Sequence, residues 1–207
     1  MFRKTFLRRG FPFLGLLLSL LLVLICASVA HAVIQNLKLS GEITGEGHTN
    51  VIDFKISPDG IYTVFTGDLR EEGKLELFSV HTLGGERVLL SPDLPEEYYV
   101  GYFSITPDSL KVVYYLEGTT LNGLYVAPIT GGASVELAGM TDGLRVSDIK
   151  VTEDGLNVFF IGSPLTAPFT YRLYRVPIEA GALQIISEEN DGWINYMIAQ
   201  NNQQVVY

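Results

Sequence analysis

Phe54-Lys55-Ile56-Ser57-Pro58-Asp59-Gly60-Ile61-Tyr62-Thr63-Val64-Phe65 is a short apolar run, a tight turn and a second short apolar run. In the turn, Pro58 presets φ at the first corner, the Asp59 carboxylate caps it and Gly60 accepts positive φ. The unit recurs. Phe103-Ser104-Ile105-Thr106-Pro107-Asp108-Ser109 leads into residues 110–114. Ile149-Lys150-Val151-Thr152-Glu153-Asp154-Gly155 leads into 156–160, and Tyr196-Met197-Ile198-Ala199-Gln200-Asn201-Asn202 leads into 203–207. With Asp59, Asp108, Asp154 and Asn201 taken as equivalent, the spacings are 49, 46 and 47 residues. A near-constant period in this range marks a repeat architecture.

Working outward, the first repeat covers about 51–91 and holds four short strands, expected at 51–56, 61–66, 75–80 and 87–90. Leu83-Gly84-Gly85 joins the last two. The second repeat covers about 100–139 and the third about 146–187. Their segments Leu124-Tyr125-Val126-Ala127-Pro128-Ile129 and Leu173-Tyr174-Arg175-Val176-Pro177-Ile178 lie over each other without a gap. The fourth repeat begins at 193 and includes two strands before residue 207. After residue 32 no stretch sustains a helical period. A repeated four-strand meander of this length is a propeller blade. The fold class is therefore all-β, a β-propeller of four-stranded antiparallel blades with three complete blades and the start of a fourth. The first strand of each blade is expected to line the central channel. Blades pack face to face, so runs such as Val112-Val113-Tyr114-Tyr115-Leu116 are apolar on both faces.

The N-terminal residues read as a targeting segment. Arg3, Lys4, Arg8 and Arg9 precede a leucine-rich apolar run over 13–29, and Ala30-His31-Ala32 offers small residues at a cleavage site. Residues 1–32 are thus expected to be a secretory signal peptide cleaved after Ala32, with the general secretory route favoured over twin-arginine export. The rival is an uncleaved anchor, for which the apolar run is slightly short. Export places the protein in the periplasm or outside the cell, and the membrane enters only through the signal segment if it stays uncleaved. Residues 33–50 read as a leader strand and Gly-rich connection, which either completes the last blade or stays a flexible leader.

Cleavage would leave 10 basic residues against 23 acidic ones, a net charge of −13, and would remove Cys26, the one cysteine. Such a chain holds together without disulfides. Its charge argues against nucleic acid as a partner.

Taken together, Ser-Pro-Asp-Gly, an apolar strand ending in an aromatic, Leu-aromatic and a Gly-Gly turn resemble the TolB-type, WD40-like propeller repeat. The resemblance covers 51–207. It departs at Ser109, which replaces Gly, at Glu153, which replaces Pro, and at Gln200-Asn201-Asn202. It implies an exported propeller used for binding a protein or small ligand. An alternative it also implies is the regulatory N-terminal propeller of an exported prolyl-oligopeptidase-type serine peptidase, with the catalytic domain beyond residue 207. A structural segment of a larger surface protein is a third reading. Closure in this family usually takes six to eight blades, so the chain is expected to be the N-terminal part of a longer propeller. An open arc exposes apolar blade faces.

No catalytic constellation is present in the sequence. There is no Gly-x-Ser-x-Gly elbow. His48 and His81 lack partners at ligand spacing, so neither a metal nor another cofactor is expected. The turn aspartates sit one to a turn, which suits capping rather than calcium.

Acidic residues gather in the loops after the second and fourth strands, which share one rim. They are Asp68, Glu71, Glu72, Asp93, Glu96, Glu97, Glu117, Asp142, Glu188, Glu189 and Asp191, facing only Arg70 and Arg145. The rim either attracts a basic partner or cation or is simply a solvated loop face, as charge runs commonly are. Tyr98, Tyr99 and Tyr102 could stack on a sugar or peptide near the rim, but they flank the entry to an inner strand, and packing in core and channel is the favoured expectation.

Overall fold

The computed structural model describes residues 38–39, 50–95, 97–118, 122–139, 144–165, 170–202 and 204–207. The chain divides into two compact units, Met1–Asn36 and Leu37–Tyr207. The first unit, with the cleavage site expected after Ala32, lies outside the described residues. Of the expected leader strand only Lys38, Leu39 and Asn50 are described.

The second unit is built from meanders. The first sheet holds β1 (Val51–Ile56), β2 (Tyr62–Gly67), β3 (Glu76–His81) and β4 (Val88–Leu89). The second holds β5 (Tyr99–Ile105), β6 (Lys111–Glu117), β7 (Gly123–Pro128) and β8 (Val135–Gly139). The third holds β9 (Leu144–Val151), β10 (Asn157–Pro164), β11 (Arg172–Pro177) and β12 (Gln184–Ile185). A two-stranded sheet, β13 (Met197–Ile198) and β14 (Val205–Val206), follows. In every sheet the strands lie side by side in chain order, all antiparallel. There is no helix among the described residues. These sheets are propeller blades.

The turn between the first two strands of each blade is tied by a hydroxyl as well as by the aspartate. The Ser57 hydroxyl donates to Asp59 Oδ1 and accepts from the Tyr62 N–H at 2.9 Å. Asp59 Oδ1 also accepts from the Ile61 N–H. Thr106 with Asp108, and Thr152 with Asp154, repeat the arrangement. Paired with these donors, the carboxyls of Asp59, Asp108 and Asp154 are all held below the usual carboxylate range, chiefly by the hydroxyl bond. Ala199 has no hydroxyl; the fourth turn is closed by the backbone bonds Ala199 N–H to Gln204 O and Asn202 N–H to Ala199 O.

Packing follows from ladder register. Phe65 faces Phe78, Tyr114 faces Tyr125 and Phe160 faces Tyr174 across the second and third strands. Each pair stacks, with ring centroids 5.3–5.7 Å apart. Central strands β2, β6 and β10 are buried on both faces. Val64 and Leu77 of the first blade share a core with Phe103, Tyr114 and Ile129 of the second. Val113 and Val126 meet Ile149, Phe160 and Tyr174 of the third. Phe159 and Leu173 meet Ile194 and Tyr196. Burial of this kind, about 25 cal/mol per Å² of apolar surface, is what a disulfide-free chain relies on.

Candidate functional site

The rim residues divide according to what they touch. Asp68 is buried, and its carboxylate accepts the backbone N–H groups of Asn50 and Gly73. Those bonds, the Asn50 one first, lower its pKa. It ties a loop together and offers no charge to a ligand. Arg70 forks onto Glu76, with one N–H at 2.7 Å, and onto Asp93 at 2.9 Å. Glu76 is completely buried, and the bonded carboxylates push the guanidinium pKa up. Lys74 lies 3.7 Å from Glu71 and 3.8 Å from Asp93. Glu117 pairs with Arg145 at 3.3 Å and bonds Tyr99, whose hydroxyl is pushed up to about 12, mainly by burial. Glu189 accepts from Thr170 and from Arg172 at 2.8 Å, which lowers its pKa.

The sequence expectation that only Arg70 and Arg145 face these acids is therefore corrected. Lys74, in the same loop as Glu71, and Arg172, at the start of β11, stand among them too. Glu97 also has a partner. Glu96 and Asp142 lie outside the described residues.

Glu188 and Asp191 have no ion pair among the described residues. Both precede Trp193 in the same loop; that ring is 52% exposed and meets the Tyr171 ring edge-on at 5.5 Å. A recess of about 370 Å³ opens here, lined by Glu188, Asn190, Trp193, Asn195 and Tyr207 among others. Trp193 is the one tryptophan of the chain. Sequence reasoning passed over it because it looked only like the start of a repeat.

Trp193 and Asn195 also line a second recess of about 500 Å³, which takes in Lys55, Tyr102, Asp148 and Lys150. Each complete blade's inner strand carries a bulge, between Val51 and Asp53, Val100 and Phe103, and opposite Phe159 to Ile161 in β9. The third bulge holds Asp148 at φ 49°. Lys55 reaches the Phe103 carbonyl and lies 4.8 Å from that ring's centroid. Desolvation by burial lowers its pKa against the opposing pull of Asp53 and Asp148. Lys150 repeats the contact one pair of blades on. It donates to Tyr196 O at 3.0 Å, lies 4.0 Å from the Tyr196 centroid and bonds Asp148 at 2.9 Å. The signal was in the sequence: Asp53-x-Lys55 and Asp148-x-Lys150 stand at the same distance from Ser57 and Thr152. Tyr98 is buried as expected for core, while Tyr102 is 52% exposed and lines the second recess.

The departures from the repeat consensus turn out to join blades. Ser109, at φ 62°, accepts the Asp59 N–H of the preceding blade at 3.1 Å. Asn202, at φ 56°, accepts the Glu153 N–H at 2.9 Å. Glycine has no such acceptor, and proline in place of Glu153 has no N–H to give.

Among the described residues no cluster of three or more His, Cys, Asp or Glu side chains stands close enough to share a metal ion.

No family model and no curated protein matches the chain. Solved structures do. The putative TolB from Agrobacterium tumefaciens aligns at 22% identity and TM-score 0.53, covering 66% of this chain and 46% of its own. A prolyl endopeptidase aligns at 10% identity and TM-score 0.57, with 76% and 25% covered. Oligogalacturonate lyase from Vibrio parahaemolyticus aligns at 18% identity and TM-score 0.51, with 67% and 39% covered. The chain spans less than half the length of each. At these identities the likeness speaks for fold alone, and together with the three four-stranded meanders it shows that the chain carries a β-propeller fold like that of TolB.

Proposed function

We propose that the chain is an exported β-propeller binding scaffold with no catalytic residues of its own. It takes a basic segment of a partner protein at the 187–195 corner of the loop rim. The observation that carries this is the half-exposed Trp193 ring, which lines the recess together with Glu188, with Asp191 two residues away in the chain. An aromatic face attracts a cation by its quadrupole, and carboxylates without a neighbouring cation supply the remaining attraction. Glu189, which also lines the recess, is already paired with Arg172. The basic start, apolar run and Ala30-His31-Ala32 support export to the periplasm or beyond.

Trp193 being the one tryptophan, its fluorescence reports the site directly. Titration with a lysine-rich peptide should shift the emission in a saturable, salt-sensitive way. Glu188→Gln with Asp191→Asn should weaken that response about tenfold, the scale of two screened charges. No shift, or a shift insensitive to both substitutions, rules the reading out.

The likeness to a prolyl endopeptidase favours a second reading, a propeller gating a peptidase domain encoded after residue 207. Reading the coding sequence onward tests it: a Gly-x-Ser-x-Gly segment followed by Asp and His is expected if it holds.

A further inference from the structure

The second recess, of about 500 Å³, is walled by the inner strands of successive blades. β1 supplies Lys55, β5 supplies Tyr102, and β9 supplies Asp148 and Lys150. Trp193 and Asn195 join them from the segment before β13. The charge of the recess runs against that of the chain. The chain carries a net charge of −9, yet two of the lining residues are lysines and one is an aspartate.

An ammonium has three N–H donors. Lys150 gives one to Asp148 at 2.9 Å and one to Tyr196 O at 3.0 Å. Lys55 gives one to the Phe103 carbonyl. Among the described residues, lysine ion pairs are made by Lys74, Lys111 and Lys150 and not by Lys55. Asp53 and Asp148 attract Lys55 only from beyond ion-pair distance, and Asp53 Oδ1 accepts the Phe54 N–H. The one lining carboxylate is thus committed to Lys150, and the Lys55 charge is unmatched. Asp148 is held in that role by the β9 bulge, where it stands at φ 49° and its carbonyl accepts the Tyr196 hydroxyl. Bulges re-aim side chains in this way and gather beside functional sites. Tyr102 and Trp193, both half-exposed, add aromatic surface to the same recess.

We propose that this recess binds a small molecule that joins one carboxylate to a ring. The carboxylate pairs with Lys55, Lys150 adds attraction from the same recess, and the ring packs on Tyr102 and Trp193. One unmatched ammonium suits a monoanion. A phosphomonoester, at about −1.5 to −2 charge, brings more charge than the recess compensates. The volume lies within the range of about 300–1,000 Å³ usual for small-molecule sites. The ligand is opposite in sign to the basic segment placed at 187–195, and neither Lys55 nor Lys150 lines that other recess, so the two proposals fail separately.

Calorimetric titration of the full chain tests this with two acids, benzoate and glucuronate, each set against its uncharged counterpart, benzamide or glucose. At least one acid should bind saturably and about tenfold tighter than its counterpart, the scale of one charge-assisted hydrogen bond. Binding of benzoate alone identifies an aromatic ring, and of glucuronate alone a sugar ring. No binding of either acid, or equal binding of acid and counterpart, overturns the proposal, and this comparison needs no substitution. Lys55→Gln should weaken the acid about tenfold and leave the counterpart unchanged; equal weakening of both overturns the pairing with Lys55. Asparagine tolerates positive φ as aspartate does, so Asp148→Asn removes a carboxylate from the recess while suiting the bulge. It should tighten the acid, a gain that damage to the fold does not produce, and unchanged affinity counts against the proposal.

Discussion

Replacing Thr106 by valine keeps the side-chain shape and removes one hydroxyl from a buried turn. That hydroxyl accepts the Lys111 N–H at 2.9 Å and donates to Asp108 Oδ1 at 2.6 Å. Thr106 is 2% exposed, so the Lys111 N–H loses its acceptor where water reaches it poorly. An unsatisfied buried donor costs about 1–3 kcal/mol. The bond to the exposed Asp108 is screened and adds little. The methyl that valine brings returns up to about 0.8 kcal/mol if it packs. The expected net loss is about 2 kcal/mol. For a unit of this size that lowers the thermal midpoint by about 4–8 °C. Thermal unfolding followed by circular dichroism reads it, with Thr152→Val as a replicate in the next blade. Thr106→Val and Thr152→Val proteins melting within about 1 °C of wild type would refute the reasoning, because about 2 kcal/mol cannot hide in so small a shift.

Three further outcomes follow from the same contacts. Asp59, Asp108 and Asp154 all have depressed pKa values, so their stabilisation is present above the unfolded carboxylate value near about 3.9 and is lost as pH falls through the lower folded values. The unfolding midpoint should therefore fall with acid in that window, and Asp154→Asn should make the fall shallower; an unchanged slope contradicts the turn bonding. Ser109→Ala removes the bond to the Asp59 N–H while keeping the costly positive φ, and should lose about 1 kcal/mol. Ser109→Gly loses the same bond but relieves the backbone, and should come out near neutral in denaturant titrations. Gly162→Ala would put a methyl carbon 2.6 Å from Tyr174, whose ring is stacked on Phe160 at 5.3 Å and has little room to retreat. Overpacking of this kind costs about 1–3 kcal/mol, measurable as a lower denaturant midpoint with unchanged slope.

Much of the fold was legible because its instructions are local. Ser57-Pro58-Asp59-Gly60 makes a turn from four consecutive residues, and its recurrence announces the blade. The strands observed in the first blade start within a residue of those expected. The paired aromatics Phe65 and Phe78 belong to neighbouring strands joined by one loop. The rim was less legible. The acids were located loop by loop, but Arg172 reaches Glu189 from within β11, and Asp68 turns inward to cap its own loop. A side chain's partner depends on where it points, and loop sequence says little about that.

By itself, then, the sequence determined the repeat, the sheet order within each blade and the absence of any nucleophile elbow, since each depends on contiguous residues. Tertiary structure alone decided which acids have a basic partner, that Trp193 lines two recesses, and that Ser109 and Asn202 join blades rather than weaken them. The physical reason is distance along the chain. Ser109 meets Asp59 across 50 residues and Lys55 meets Phe103 across 48, and contacts of that span exist only once the blades have stacked.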